Sequence, residues 1–188
     1  MPSSRHPVTP SFPPVKRAIF LLTVALTGTL SSCTGYPRIL SFPFDAAGRS
    51  LNSPAGEVTP QLAGRYIVFI SDRQQSQDVY LYDAVDRRLI DLPGLNALDT
   101  LASHPAVTED GRSIVFAGSR EGRVDVYLYN VPTRQLRNLT QNLKAEVRNP
   151  TISADGSTIA FEAGAQGQWN ITLIDPSGNP VNTPDAPR

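Results

Sequence analysis

Cysteine occurs once in these 188 residues, as do methionine and tryptophan, and histidine occurs twice. One Cys excludes an internal disulfide. With only His6 and His104 beside Cys33, no Cys/His cluster can be assembled for zinc. A Gly-x-Ser-x-Gly elbow is also missing. The nearest string, GSREG at Gly118–Gly122, has its Ser in the wrong place for a hydrolase nucleophile. Carboxylates are plentiful but fall mostly in repeated turns, so no acid/base pair can be singled out. Excess charge is absent too: 17 Lys and Arg balance 17 Asp and Glu. Three of those basic residues (Arg5, Lys16, Arg17) lie in the first 32 residues, which hold no acid. From Cys33 onward, fourteen basic residues therefore face seventeen acidic ones, about −3. No basic stripe appears, which argues against a nucleic-acid partner. These absences nominate no catalytic residue, no cofactor and no metal, and the chain is expected not to be an enzyme. His104 is read as a structural or solvated turn residue.

One apolar run is present, Ala18–Leu30 (AIFLLTVALTGTL), 13 residues long. That is too short for an ordinary membrane span and suits the core of an export signal behind a positive start. The residues that follow, Leu30-Ser31-Ser32-Cys33, resemble a bacterial lipobox. The resemblance implies cleavage before Cys33 and lipidation of its thiol. That would leave no free thiol in an oxidising compartment and, with more than one acyl chain, a stable membrane anchor. An ordinary signal peptide with an incidental Cys, or an uncleaved anchor, remains the alternative. The expected layout is a signal peptide at 1–32, a lipidated N-terminus with a possible half unit at 33–54, repeats at 55–182 and a frayed tail at 183–188.

The repeats dominate the rest. Aligned on a Phe, GRYIVFISDRQQSQDVYLYD, DGRSIVFAGSREGRVDVYLYN and DGSTIAFEAGAQGQWNITLID place Phe69, Phe116 and Phe161 in one column, at periods of 47 and 45 residues. Nine residues on stand Asp78, Asp125 and Asn170. Each unit reads as four short strands. The first follows Pro60, Pro105 or Pro150; the second is IVF or IAF; the third is DVYLY or NITLI; the fourth is RLIDL, QLRNL or the weak NPVN. Asp110-Gly111 and Asp155-Gly156 are hairpin turns, since Gly accepts a positive φ without steric cost. Four strands in about 45 residues is the signature of a propeller blade. Ile114 and Phe116 point one way and Val115 and Ala117 the other, and all four are apolar. Both faces of the sheet therefore want cover, which blade-on-blade stacking supplies. The fold class expected is all-β, a short or partial propeller of about three four-stranded blades at 55–100, 101–145 and 146–182. Pro43–Leu51, PFDAAGRSL, matches Leu81–Leu89, LYDAVDRRL, and suggests an N-terminal half blade.

The pattern carried by Asp110, Gly111, Ile114, Phe116, Arg120, Gly122, Asp125 and Tyr127 resembles the TolB-type, WD-repeat-like propeller repeat, over roughly residues 40–180. The resemblance implies an exported propeller that works through loop and channel-mouth contacts. Its family includes the TolB of the Tol-Pal envelope system and the propeller domains of oligopeptidases. Within each hairpin, Asp78 and Asp125 are expected to clasp Arg73 and Arg120; both charges are lost in the third copy, where Ala165 and Asn170 stand. The expected role is a protein-binding or scaffolding module, held to an envelope membrane through Cys33, with unidentified envelope proteins as partners. The alternatives are a blade array completed by self-association, giving a homo-oligomer, and a degenerate propeller hydrolase. Contact residues are sought where the copies disagree, in the loops Pro93–Thr100 and Gln141–Asn149.

Overall fold

The computed structural model of the chain describes residues 49–96 and 99–181. The signal segment, Cys33, the match at Pro43–Leu51 up to residue 48, and the tail lie outside them. The described residues form eleven strands, all paired antiparallel, in three sheets. The first blade is β1 (Glu57–Ala63), β2 (Tyr66–Ser71), β3 (Asp78–Asp83) and β4 (Arg88–Ile90). The second is β5 (Leu101–Val107), β6 (Ser113–Arg120), β7 (Arg123–Asn130) and β8 (Gln135–Asn138). The third has only β9 (Glu146–Ile152), β10 (Ile159–Ala165) and β11 (Gln168–Ile174). Within each sheet the strands neighbour one another in chain order.

The expected fourth strand of the third blade is reduced to one bridge, Ile174 to Pro180, backed by a Val181 N–H to the Leu173 carbonyl. Pro180 has no N–H to extend a ladder. Asp175 also holds the preceding turn tight, accepting from the backbone N–H groups of Ser177 and Asn179.

The repeat Pro residues do not precede their strands, as the sequence suggests, but sit inside them. Thr59, His104 and Asn149, each just before the Pro, have positive φ of 48°, 47° and 51°. The register slips there in all three sheets. A bulge leaves one residue out of the ladder, so a Pro without an N–H costs nothing at that point. His104 thus belongs to the bulged inner strand, not to a turn.

The alternation read from the sequence does separate two cores. Ile114, Phe116 and Tyr129 of the second blade pack with Val68, Ile70, Val79 and Leu81 of the first. Val115, Val126 and Leu128, on the opposite face, pack with Ile159, Phe161 and Val147 of the third. Each such side chain, fully buried, contributes about 1.5–3 kcal/mol relative to exposure. The middle blade is therefore the element that joins the other two.

The first hairpins stack at one end. Gly111 and Gly156 have φ of +71° and +75°, and each closes its turn on the carbonyl three residues back, Thr108 and Ser153. A Cβ on Gly111 would also lie 2.6 Å from the Tyr66 ring of the first blade, so that position needs glycine twice over. The Glu109 N–H reaches the Ala154 carbonyl of the third blade at 3.0 Å.

Candidate interaction surface on the loop face

The second hairpins and the loops between blades share one end of the sheets. In the second blade the β6–β7 tip is a two-residue turn, Glu121-Gly122, with φ of 51° and 78°, between the paired Arg120 and Arg123. Gln166-Gly167 does the same in the third blade, with 53° and 82°. Positive φ at both central residues matches the strand twist of a tight hairpin.

Asp78 opens β3 and Asp125 is the third residue of β7, the strands that leave these tips, and both are buried. The expected clasps do not form. Arg123 stands on the same strand two residues before Asp125 and takes it, Nε to Oδ1 at 3.1 Å. The Thr140 hydroxyl and the Asn138 amide donate to the same carboxylate, at 2.9 and 3.0 Å. Arg120 pairs instead with Asp99 of the preceding inter-blade loop, at 2.6 Å, across an exposed gap. In the first blade Arg73 turns away from Asp78. It pairs with Glu57 at 2.8 Å, donates to the Ser50 and Leu51 carbonyls, and lies over the Phe69 and Tyr80 rings. Burial pushes the Asp78 carboxyl above its usual range, with the nearby Ser76 hydroxyl opposing the shift.

Arg123 lies within the aligned hairpin but is passed over by a repeat comparison because the other copies have no Arg at that position; the remaining partners come from the neighbouring strand and the neighbouring loop. Asp110 and Asp155 lie in the turns between the first two strands of their blades. The Thr108 hydroxyl, with the Arg112 N–H, holds the Asp110 carboxyl below its usual range. The Ser153 hydroxyl, then the Ser157 N–H and hydroxyl, hold Asp155 down to about 2.

Of the loops that differ between copies, the end of the second, from Glu146 on, belongs to β9, and described residues of both are held by hydrogen bonds. Asn96 brackets Val79, accepting from its N–H at 2.9 Å and donating to its carbonyl at 3.0 Å. Thr140 plays the same part on Val126 in the second blade, accepting its N–H at 3.0 Å. Tyr129 donates to the Pro93 carbonyl, and Arg123 to the carbonyls of Thr140 and Leu143. Beside the second loop lies a groove of about 620 Å³ between the second and third blades. Among the described residues, no group of three or more His, Cys, Asp or Glu is placed to hold a metal ion.

The third blade departs most. The stacked pairs Phe69–Tyr80 and Phe116–Tyr127, with ring centroids 5.7 and 5.5 Å apart, become Phe161 opposite Thr172. On its outward face Glu162 accepts from Arg148 Nε at 2.6 Å and from the Asn149 amide at 2.9 Å. The Arg148 guanidinium lies 3.8 Å from the Trp169 ring centroid. Trp169 and Ile171 stay 37% and 69% exposed.

No protein-family model matches the chain, and no curated protein matches it in sequence. Solved structures do. A TolB-type protein of Agrobacterium tumefaciens superposes with a TM-score of 0.54 at 19% identity, over 71% of this chain and 50% of its own. The β-propeller domain of the Trilobed protease of Pyrococcus furiosus, of open velcro topology, gives 0.51 at 14% identity, over 68% of this chain and 42% of its own. A puromycin-hydrolysing peptidase of Mycobacterium tuberculosis gives 0.50 at 14%, over 68% and 21%. The chain thus spans half or less of the length of each of these. At such identities the likeness concerns the fold, and with the blade order and register it establishes the described residues as three adjacent blades of a TolB-like β-propeller.

Proposed function

We propose that this chain is an exported, lipid-anchored propeller module of the bacterial envelope that acts through protein contacts rather than catalysis. The open face of the third blade carries the reading. The second blade buries both of its faces, whereas the outward side of the third leaves Trp169 and Ile171 in solvent, and clustered apolar exposure marks contact sites. Envelope placement rests on the run Ala18–Leu30 with Cys33 and on the TolB-like fold. A Tol-Pal-like system is the first place to seek the partner.

Cross-linking and pull-down from native membranes tests this. Envelope proteins captured by the wild-type chain support it, and hydrolysis of a peptide or glycan by the pure chain overturns the non-catalytic role. A Cys33→Ser chain is expected to leave the membrane fraction; retention there would count against the lipid anchor. Self-association is the second reading, favoured by the same exposed Ile171. Light scattering of the detergent-solubilised chain decides it, with a clean monomer as the opposing outcome.

A further inference from the structure

We infer that the groove between the second and third blades, on the loop face, is a docking site for an extended acidic peptide segment with alternating apolar side chains. This rests on the protein-contact reading above and names the chemistry of the partner. Three large apolar side chains that the fold leaves partly exposed, Val124, Leu143 and Trp169, line this one groove. They come from β7, the inter-blade loop and β11. Around them stand Arg123 and Arg148, each already paired with a carboxylate of its own blade (Asp125 and Glu162), and Lys144 and Glu146 of the loop and β9.

The donors outnumber what the protein uses. Arg123 spends Nε on Asp125 and one terminal nitrogen on two carbonyls. Arg148 spends Nε on Glu162. Its terminal nitrogens, and the whole Lys144 ammonium, have no bond among the described residues. An arginine fork and an ammonium left with free N–H groups call for carboxylates. An apolar floor calls for side chains that an inorganic anion lacks. The concave cleft, about 620 Å³, suits a short strand-like segment better than a flat bilayer. In an extended peptide successive side chains point to opposite faces, so alternating acidic and apolar residues meet rim and floor together.

Trp169 is the only tryptophan in the chain, so its emission reports on this groove and on the adjoining outer face of the third blade. The full chain is titrated with a seven-residue Asp/Leu alternating peptide, its Asn/Leu counterpart, and phosphatidylglycerol vesicles. The Asp/Leu peptide is expected to shift Trp169 emission saturably, with the Asn/Leu peptide at least tenfold weaker. Lys144→Glu is expected to weaken the acidic peptide at least tenfold and Lys144→Arg to retain it. Lys144 is exposed, so thermal melts of both variants should match the wild type. Emission unmoved up to millimolar peptide, equal affinity for the two peptides, equal affinity of Lys144→Glu, or a response to vesicles only would each overturn the proposal. If wild type and Lys144→Glu capture the same envelope protein, the groove proposal falls and the protein-contact reading stands. If Trp169 answers the acidic peptide but nothing is captured from membranes, the reverse holds.

Discussion

One residue after the repeat Phe, the second blade has Ala117 and the third has Glu162; the facing strand supplies Ser103 in one and Arg148 in the other. Further along, Val124, Val126 and Leu128 correspond to Trp169, Ile171 and Leu173. The second blade turns this face onto its neighbour, and Val115, Ala117 and Val126 are sealed. The third blade keeps the same backbone pairing and replaces the seal with an Arg–Glu pair under an aromatic ring. Blade geometry is thus set by turns and ladder, while the small set of outward side chains decides whether a face stacks or stands open.

Exchanging the two residues is the strongest way to break that comparison. Ala117→Glu places an unpaired carboxylate, and extra volume, in a sealed interface. It should cost about 3–5 kcal/mol, a large share of a stability of about 5–15 kcal/mol. Urea unfolding measures it; a loss below about 1 kcal/mol would mean that the two interfaces are not distinct. The reverse exchange appears below, because its effect is small.

Asp78 of β3 and Asp125 of β7, in one repeat column, sharpen the comparison within the stacked pair. Asp125 accepts from Arg123, Asn138 and Thr140, so Asp125→Ala leaves buried donors without a partner and should cost about 1–3 kcal/mol. Asp78 is equally buried, and burial raises its folded-state pKa. The folded state then holds the proton more tightly than the unfolded chain. This site's contribution is most favourable below the ordinary carboxylate range and is lost as pH rises through the raised value. Asp78→Asn is therefore expected to be neutral or stabilising at pH 7, and to lose that advantage below about pH 4. Chemical denaturation at the two pH values checks it. A loss at pH 7 as large as that of Asp125→Ala would sink the distinction.

That distinction was out of reach of the sequence, although the column itself was legible. Repeats expose what is local. Asp110-Gly111 and Asp155-Gly156 make turns because a turn is decided by four residues, and the two-faced apolar pattern of Ile114 to Ala117 reports stacking directly. Apart from Arg123 beside Asp125, the partners are not local. Arg73 finds Glu57 of β1, Arg120 finds Asp99 of the preceding loop, and Asp125 finds Thr140 of the following one. The change from Ala117 to Glu162 was visible in the aligned copies, and with Arg148 it could have flagged the outer face of the third blade. The left-handed residue before each Pro also left a trace, since Thr59, His104 and Asn149 share a column.

Glu162→Ala carries the second blade's residue into the third. It removes an ion pair whose Arg148 side is half exposed, and such pairs contribute about 0–1 kcal/mol. The expected stability change lies within that range, in contrast to Ala117→Glu. Arg148 would also lose its tether beside Trp169, so the emission of the single tryptophan should change even where the urea midpoint does not. A loss of several kcal/mol would show that the outer face is sealed after all.

The smallest effect separates the two Asp-Gly turns. Asp110 accepts from one hydroxyl and one N–H, while Asp155 accepts from two hydroxyls and one N–H, because Ser157 stands where the second blade has Arg112. The extra donor fits the depression of Asp155 to about 2. A carboxylate with a depressed folded pKa adds stability above its unfolded value near 4, and that contribution fades as pH falls toward the folded one. Protection of the Gly156 and Ser157 amides against hydrogen exchange should therefore fall between about pH 4 and pH 2. In Asp155→Asn it should stay flat through that window, since no proton is taken up. The Asp110 turn, also depressed but with fewer donors, should begin to lose protection at a higher pH than the Asp155 turn. If the two turns lose protection together, the additional Ser157 hydroxyl does not distinguish them, and the third blade differs from the second on its outer face alone.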